Sequence, residues 1–348
     1  EQPLPVPVVL HESEVFTLLP PDNGSGPLWS YGCTQIGRLG DTVYVSAMET
    51  GEGVPRLCNT RWRLMRFDGI SWSLVAEDEK YRQREPCPIA VMPPSKVVLN
   101  VNDSTEPPGT EYGPCIPRLT LFETADVPIT LKTIEPQWDQ PHHFTDHSYR
   151  GFAVDPKLKQ LLMLNIDATT SIQNVCLVNV DGETLATADI EFPIRSCYPQ
   201  AALNEYAAYV LAVGDIVEPV EEWRTYKYEQ THQKWDYVFR RLFFTWTPDI
   251  RNTGFASPVE IENLDATCGH ITNQDLWISP DGEAWILYTQ QDVQNVLVRD
   301  RFFPDKSISN SLWLVRVKEG LIVEKRVLLA ERPDRNVSQA KFHAAEGG

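Results

Sequence analysis

The stretch Gly151-Phe-Ala-Val-Asp-Pro-Lys-Leu-Lys-Gln-Leu-Leu-Met-Leu-Asn-Ile-Asp167 decides how the rest of the chain is read. It contains an apolar strand, a tight turn at Asp155-Pro156-Lys157, and a second apolar strand that ends in an acid. The same phrase, with a polar or aromatic lead-in, returns at Thr34 to Glu49, Pro88 to Asn102, Gln200 to Asp215 and Asp275 to Tyr288. Equivalent positions at Ile36, Ile89, Phe152, Ala201 and Leu276 are spaced 53, 63, 49 and 75 residues apart. A repeat of that length is one propeller blade with loop insertions. Two stacked β-sandwiches give no reason for it.

Each hairpin is followed by a second one, as at Arg61 to Val75, Val175 to Leu185 and Leu312 to Ile322. There Asp68-Gly69, Asp181-Gly182 and Glu319-Gly320 supply the positive-φ turn positions that a two-residue hairpin needs. Four strands per repeat make a blade. The 27 prolines fit many short strands, and no segment carries a long helical period. The sequence therefore predicts an all-β chain, a β-propeller of four-stranded blades forming a single domain over residues 1–348. Five full blades are expected over about residues 29–330. Glu14 to Leu19 would be an outer strand closing the last blade, and a sixth blade begins at Ser338. Six or seven blades would complete the ring. An unfinished innermost hairpin leaves an open edge beside the axis. The expectation is that a second chain or a further C-terminal segment completes the propeller.

Composition narrows the partners. Lys plus Arg number 31 against 48 Asp plus Glu, a formal charge of −17, which argues against a nucleic acid or an anionic membrane as partner. An anionic ligand must meet a local basic patch. No apolar run approaches the roughly 18 to 20 residues of a membrane-spanning helix. The seven cysteines, at 33, 58, 87, 115, 176, 197 and 268, form no Cys-x-x-Cys pair, so no metal site or other cofactor is expected. Cys176, inside an apolar run, reads as a buried free thiol. The other six suit up to three disulfides, hence a secreted or periplasmic protein. Sequons begin at Asn23, Asn102 and Asn336.

In a propeller the residues just before strand one and just after strand two of every blade converge on one face. The lead-ins supply Trp29, Tyr31, Cys33, Arg84, Glu85, His147, Tyr149, Arg150, Arg195, Tyr198, His270, Asn273 and Gln274; the returns supply Glu49, Asn102, Asp103, Asp167, Asp215 and Gln290. Taken singly, Tyr31 or Tyr198 is a wedge between blades, Asp167 or Asp215 a loop cap, Arg84 or Arg195 an ion-paired side chain. Convergence from several blades is what points to a site. Arginines pair bidentately with a carboxylate, and Trp29 and Tyr31 offer platforms to sugar rings. The expected partner is an anionic polysaccharide or oligosaccharide. β-Elimination at a uronate needs a cation or donor on the carboxylate, a base for the C5 proton and an acid for the leaving O4. His147, Tyr149, Tyr198 and the arginines supply those types.

The lead-in His147-Ser-Tyr-Arg-Gly-Phe-Ala-Val-Asp155, with Arg195-Ser-Cys-Tyr-Pro199 one blade later, resembles the sialidase-like propellers that include ulvan lyases and rhamnose-glucuronate lyases. The resemblance implies cleavage of a uronate-containing polysaccharide by elimination. It makes His147 a proton-transfer or positioning residue, Tyr198 the base or acid, and Arg84, Arg150 or Arg195 the carboxylate clamp. His142, His143 and His270 compete for the place of a second family histidine.

A sialidase-like glycoside hydrolase is the alternative, with Arg84, Arg150 and Arg195 as an arginine triad and Asp103 as acid. A Phe-Arg-Ile-Pro motif is absent, and Ser279-Pro-Asp-Gly-Glu-Ala-Trp285 departs from the Asp-box pattern. A propeller that only binds glycan or protein is the third reading. The charged and aromatic insertion Glu221 to Tyr237 reads as a solvated hairpin in blade four, or as a wall beside the ligand.

Overall fold

The second strands of blades two to five are apolar at consecutive positions because they are covered on both faces, and that double burial organises the molecule; in blade one only alternate residues of the second strand are buried. The computed structural model describes residues 8–27, 29, 33–125, 129–147, 149–332 and 334–343. Blade one is β1 (Ile36–Leu39), β2 (Thr42–Thr50), β3 (Thr60–Phe67) and β4 (Trp72–Glu77). Blade two is β5 (Ile89–Met92), β6 (Lys96–Ser104), β7 (Cys115–Glu123) and β8 (Thr130–Ile134). Blade three is β9 (Arg150–Asp155), β10 (Gln160–Ile166), β11 (Gln173–Asn179) and β12 (Thr184–Ile190). Blade four is β13 (Ser196–Asn204), β14 (Ala207–Gly214), β17 (Arg241–Thr247) and β18 (Val259–Asn263), with the short ribbon β15 (Ile216–Val217) and β16 (Tyr237–Val238) inserted. Blade five is β19 (His270–Ile278), β20 (Ala284–Gln291), β21 (Ser311–Lys318) and β22 (Leu321–Ala330). In all five, the strands lie in chain order and pair antiparallel.

Alternation along the strands feeds successive interfaces between blades. On β14, Val210 and Ala212 join the layer against blade three, while Tyr209, Leu211 and Val213 join the layer against blade five. On β10, Leu162 and Leu164 face blade four, and Leu161 and Met163 face blade two. The layer between blades one and two is Leu64, Leu99 and Phe122. The first strands β1, β5, β9, β13 and β19 pack one against the next and so surround an axis. A Cβ on Gly151 would lie 3.1 Å from the Pro199 carbonyl oxygen, so that glycine permits the close approach of β9 to β13. This is a β-propeller of four-stranded blades, as the repeat predicts.

Four expectations are corrected. Glu14 to Leu19 forms no strand; it runs over blade one, with Phe16 under the Arg63 guanidinium and the Leu19 carbonyl accepting from Thr50 Oγ1. The start of the sixth repeat, Ser338 to Phe342, is not a strand either. It is held beside β19 through Gln274 and Asp275, and Phe342 meets Trp277. A cleft of about 930 Å³ separates β19 from β1 and β2, lined by both of these segments. The insertion is not a plain hairpin: its ribbon carries a helix, α1 (Glu221–Thr231), which meets α2 (Val296–Phe302) from blade five. A helix with no buried residue has no apolar stripe to announce it. All seven cysteines are buried free thiols. Cys33 and Cys115 donate to the Arg150 and Thr145 carbonyls, Cys268 accepts from Arg240, and burial pushes the Cys33 thiol up to about 11. The sequon residues Asn23 and Asn102 are buried as well.

Leu164 is fully buried between blades three and four. Leu164→Ala should lower unfolding stability by about 2–5 kcal/mol through the cavity it leaves. Leu74→Ala, at an exposed position of β4, should stay within about 0.5 kcal/mol. Urea titrations of the two variants measure the contrast.

Candidate functional site

A pit of about 320 Å³ opens where the lead-ins converge, lined by Trp29, Arg84, His147, Tyr149, Tyr198, Trp235, Phe239 and residues His270 to Asn273. Blade three delivers His147 and Tyr149 from just before its first strand, and blades four and five deliver residues from the start of theirs. Tyr198 arrives by a local distortion: β13 bulges between Cys197 and Gln200, and Tyr198 takes φ +48°. An aromatic residue with positive φ costs on the order of 1 kcal/mol and persists only where its surroundings impose it. Here Asn273 Nδ2 donates to the Tyr198 carbonyl at 2.8 Å, from a bulge in β19 at the same level.

The floor of the pit is a chain of proton-bearing groups. His147 Nδ1 lies 2.7 Å from Glu85 Oε1, and His147 Nε2 lies 3.3 Å from the Tyr149 hydroxyl. A carboxylate oxygen only accepts, so Nδ1 carries the hydrogen toward Glu85, and Nε2 is the ring nitrogen that faces the Tyr149 hydroxyl. The Tyr198 hydroxyl bonds that of Tyr149, with the rings 4.5 Å apart. Tyr149 and Tyr198 are only 5% and 6% exposed. Burial pushes both phenols far above their ordinary range, so both rest protonated.

Two cations flank this floor. Arg84 is 8% exposed; its guanidinium sits 5.7 Å from the Tyr112 ring, and its Nη1 has no hydrogen-bond partner among the described residues. Arg195 pairs with Asp215 and lies over the rings of Tyr149 and Tyr237 at 5.7 and 5.9 Å. Below, Asp146 is buried beside Arg84, His147 and Glu85, and desolvation raises its pKa to about 6. Trp29 meets Tyr198 edge-on at 5.9 Å. His270 packs edge-on against Phe239, and its pKa is pushed down by burial and by the Arg240 charge.

The structure thus brings together His147, Tyr149, Tyr198, Arg84, Trp29, His270 and Asn273, with Arg195 beside Tyr149. Tyr31 lies outside the described residues. Arg150 is a correction. Its guanidinium is buried and donates to the Glu85, Pro86 and Asn100 carbonyls, so it braces blades two and three instead of facing the pit. Asp103, expected as an acid, is held by Gln83 and Arg118. Asp167 caps a loop by accepting from the His143, Thr169 and Thr170 amides. His142 packs on Trp138 and Phe144, which leaves His270 as the second histidine of the pit. Sequence reasoning placed Glu85 on this face without a role, named Trp235 only within the insertion read as a hairpin or a wall, and missed Phe239. Glu85 adjoins Arg84 in the lead-in, while the two aromatics belong to the insertion and its exit.

No family model and no curated protein matches the sequence. Solved structures with a related outline include a family-43 β-1,3-galactosidase with 10% identity and a TM-score of 0.44, over 84% of this chain and 92% of that one. A phage phi92 endosialidase gives 8% identity and a TM-score of 0.46, over 84% and 55% of the two chains. The β-propeller domain of the trilobed protease from Pyrococcus furiosus gives 10% identity and a TM-score of 0.44, over 90% and 76%.

Two outcomes test the site's electrostatics. Arg150→Met should cost about 3 kcal/mol or more of stability by orphaning buried carbonyls, without altering ligand affinity in the folded fraction; urea melts and titration calorimetry separate the two. Asp146 holds in the fold a proton that the unfolded chain has lost, so stability falls as pH rises from about 4 to about 6, by up to about 3 kcal/mol. Asp146→Asn should abolish that part of the slope in unfolding curves taken across this range.

Proposed function

We propose that the pit is the active site of an enzyme that cleaves an anionic saccharide, with Tyr149 as the reacting phenol, His147 as its base and Glu85 as the group that orients His147. The single observation that carries this reading is the His147 ring held between Glu85 and the Tyr149 hydroxyl. A hydroxyl, a base in hydrogen-bond reach and a third group fixing that base is the arrangement that activates a nucleophile. Arg84 and Arg195 are the cations that hold the substrate carboxylate. A neutral phenol approaches such a sugar without the repulsion that a carboxylate nucleophile would meet. No Asp or Glu is among the described residues lining the pit, which weighs against hydrolysis by a carboxylate pair.

In glycoside hydrolysis, the Tyr149 oxygen bonds to the anomeric carbon as the glycosidic C–O bond breaks, His147 Nε2 taking the phenol proton and the leaving oxygen taking a proton from solvent; water then attacks that carbon and gives a proton to solvent, the carbon–phenol bond breaks, and Tyr149 recovers its proton from His147. Elimination at a uronate is the second reading, and one feature favours it. Both phenols rest protonated, which suits an acid that serves a leaving glycosidic oxygen, with His147 taking the C5 proton.

Incubation with sialosides and with uronate-containing oligosaccharides distinguishes the chemistries. Hydrolysis yields new reducing ends alone; elimination also yields an unsaturated product that absorbs in the ultraviolet. Tyr149→Phe and His147→Ala should each lower kcat by about 10²–10⁴, and Arg84→Ala should act mainly on KM. Binding without cleavage of any substrate, or full activity in both proton-carrier variants, would overturn the assignment.

A further inference from the structure

We infer that Trp235 forms an outer sugar subsite, so that the pit takes an oligosaccharide whose anionic residue sits on the Tyr149 floor and whose neighbouring ring stacks on this indole. The inference rests on the saccharide reading above and adds the length of the ligand. Depth is the first ground. Trp235 lines the same pit as Tyr149 and Tyr198, yet it is 62% exposed where they are 5% and 6%. It therefore stands at the mouth, and a ligand leaving the floor toward solvent passes its face. An indole so exposed gains by covering its face with an apolar surface such as the C–H face of a pyranose.

The second ground is that this exposed side chain is mounted on a braced support. Its neighbour Asp236 accepts from the Glu218 amide at 2.7 Å and pairs with Lys227 at 3.3 Å. Glu218 in turn forms a buried pair with Arg240, whose guanidinium lies 5.1 Å from the Trp223 ring of α1. Trp223 packs on Phe302 and Phe303 of blade five. The stem of the insertion is thus fixed on two blades. The third ground is continuity: Trp235 lies 5.2 Å from Tyr237, which covers Arg195, and Phe239, lining the same pit, meets Tyr198. Arg195 lies over both Tyr237 and the floor ring Tyr149, so Trp235, Tyr237, Arg195 and Tyr149 link mouth to floor.

The experiment is calorimetric titration of the parent chain, Trp235→Ala and Trp235→Tyr with the monomer, dimer and tetramer of one uronate series and one sialic acid series, in the Tyr149→Phe background so that no ligand is cleaved. The parent should bind the dimer at least about tenfold tighter than the monomer. Trp235→Ala should abolish that gain while leaving monomer affinity unchanged, and Trp235→Tyr should keep most of it. A length-dependent gain that survives Trp235→Ala, or a loss shared equally by monomer and dimer, overturns the subsite and leaves the pit reading standing. Failure of the parent to bind any member of either series overturns both.

Discussion

Burial on both faces of the second strands of blades two to five, and of the third strands of blades three and four, is the constraint from which the rest follows. A sheet with two apolar faces in water must find a neighbour on each side, and sheets stacked face to face with the natural strand twist splay around an axis. Phe243 faces blade three and Phe244 faces blade five, although they are adjacent in the chain. Once the blades are stacked, the first strands have no freedom left: β5, β9, β13 and β19 line up beside the axis and their leading residues meet. The site is a by-product of how the core is filled.

The same packing sets the chemistry of the pit. Tyr149, Tyr198 and Asp146 have been moved out of water by neighbours that belong to the fold, and each is driven toward its neutral form. Arg84 lines the pit, and Arg195, paired with Asp215, lies over the Tyr149 ring, in a chain whose overall formal charge is −17. The strain at Tyr198 belongs to this design, because the bulge that brings its ring to the floor is held by Asn273 from the next blade.

The insertion in blade four contributes what the repeats do not. Its helix has no buried residue of its own, yet Trp223 docks on α2 and the stem is tied to Arg240. One aromatic wall at the mouth of the pit is therefore a local addition to a ring that is otherwise made of equivalent parts.

The sequence by itself determined the architecture and the face. Strand pairs with a repeating phrase, Gly turns such as Glu319-Gly320 and the spacing of lead-ins are local patterns, and local patterns are visible in one dimension. It also named most of the pit, since His147, Tyr149, Tyr198, Arg84 and His270 occupy equivalent places in their repeats. Only the tertiary structure decided which of the matching residues turn inward. Arg150 follows Tyr149 by one position and points to the other side of β9, where carbonyls of blade two claim it; a strand sends neighbours to opposite faces. Glu85 acquires a role only because His147, 62 residues away, lies on it. The free thiols other than Cys176, and the docking of the insertion's helix on α2, were likewise settled by partners distant in the chain, which no spacing along the sequence can show.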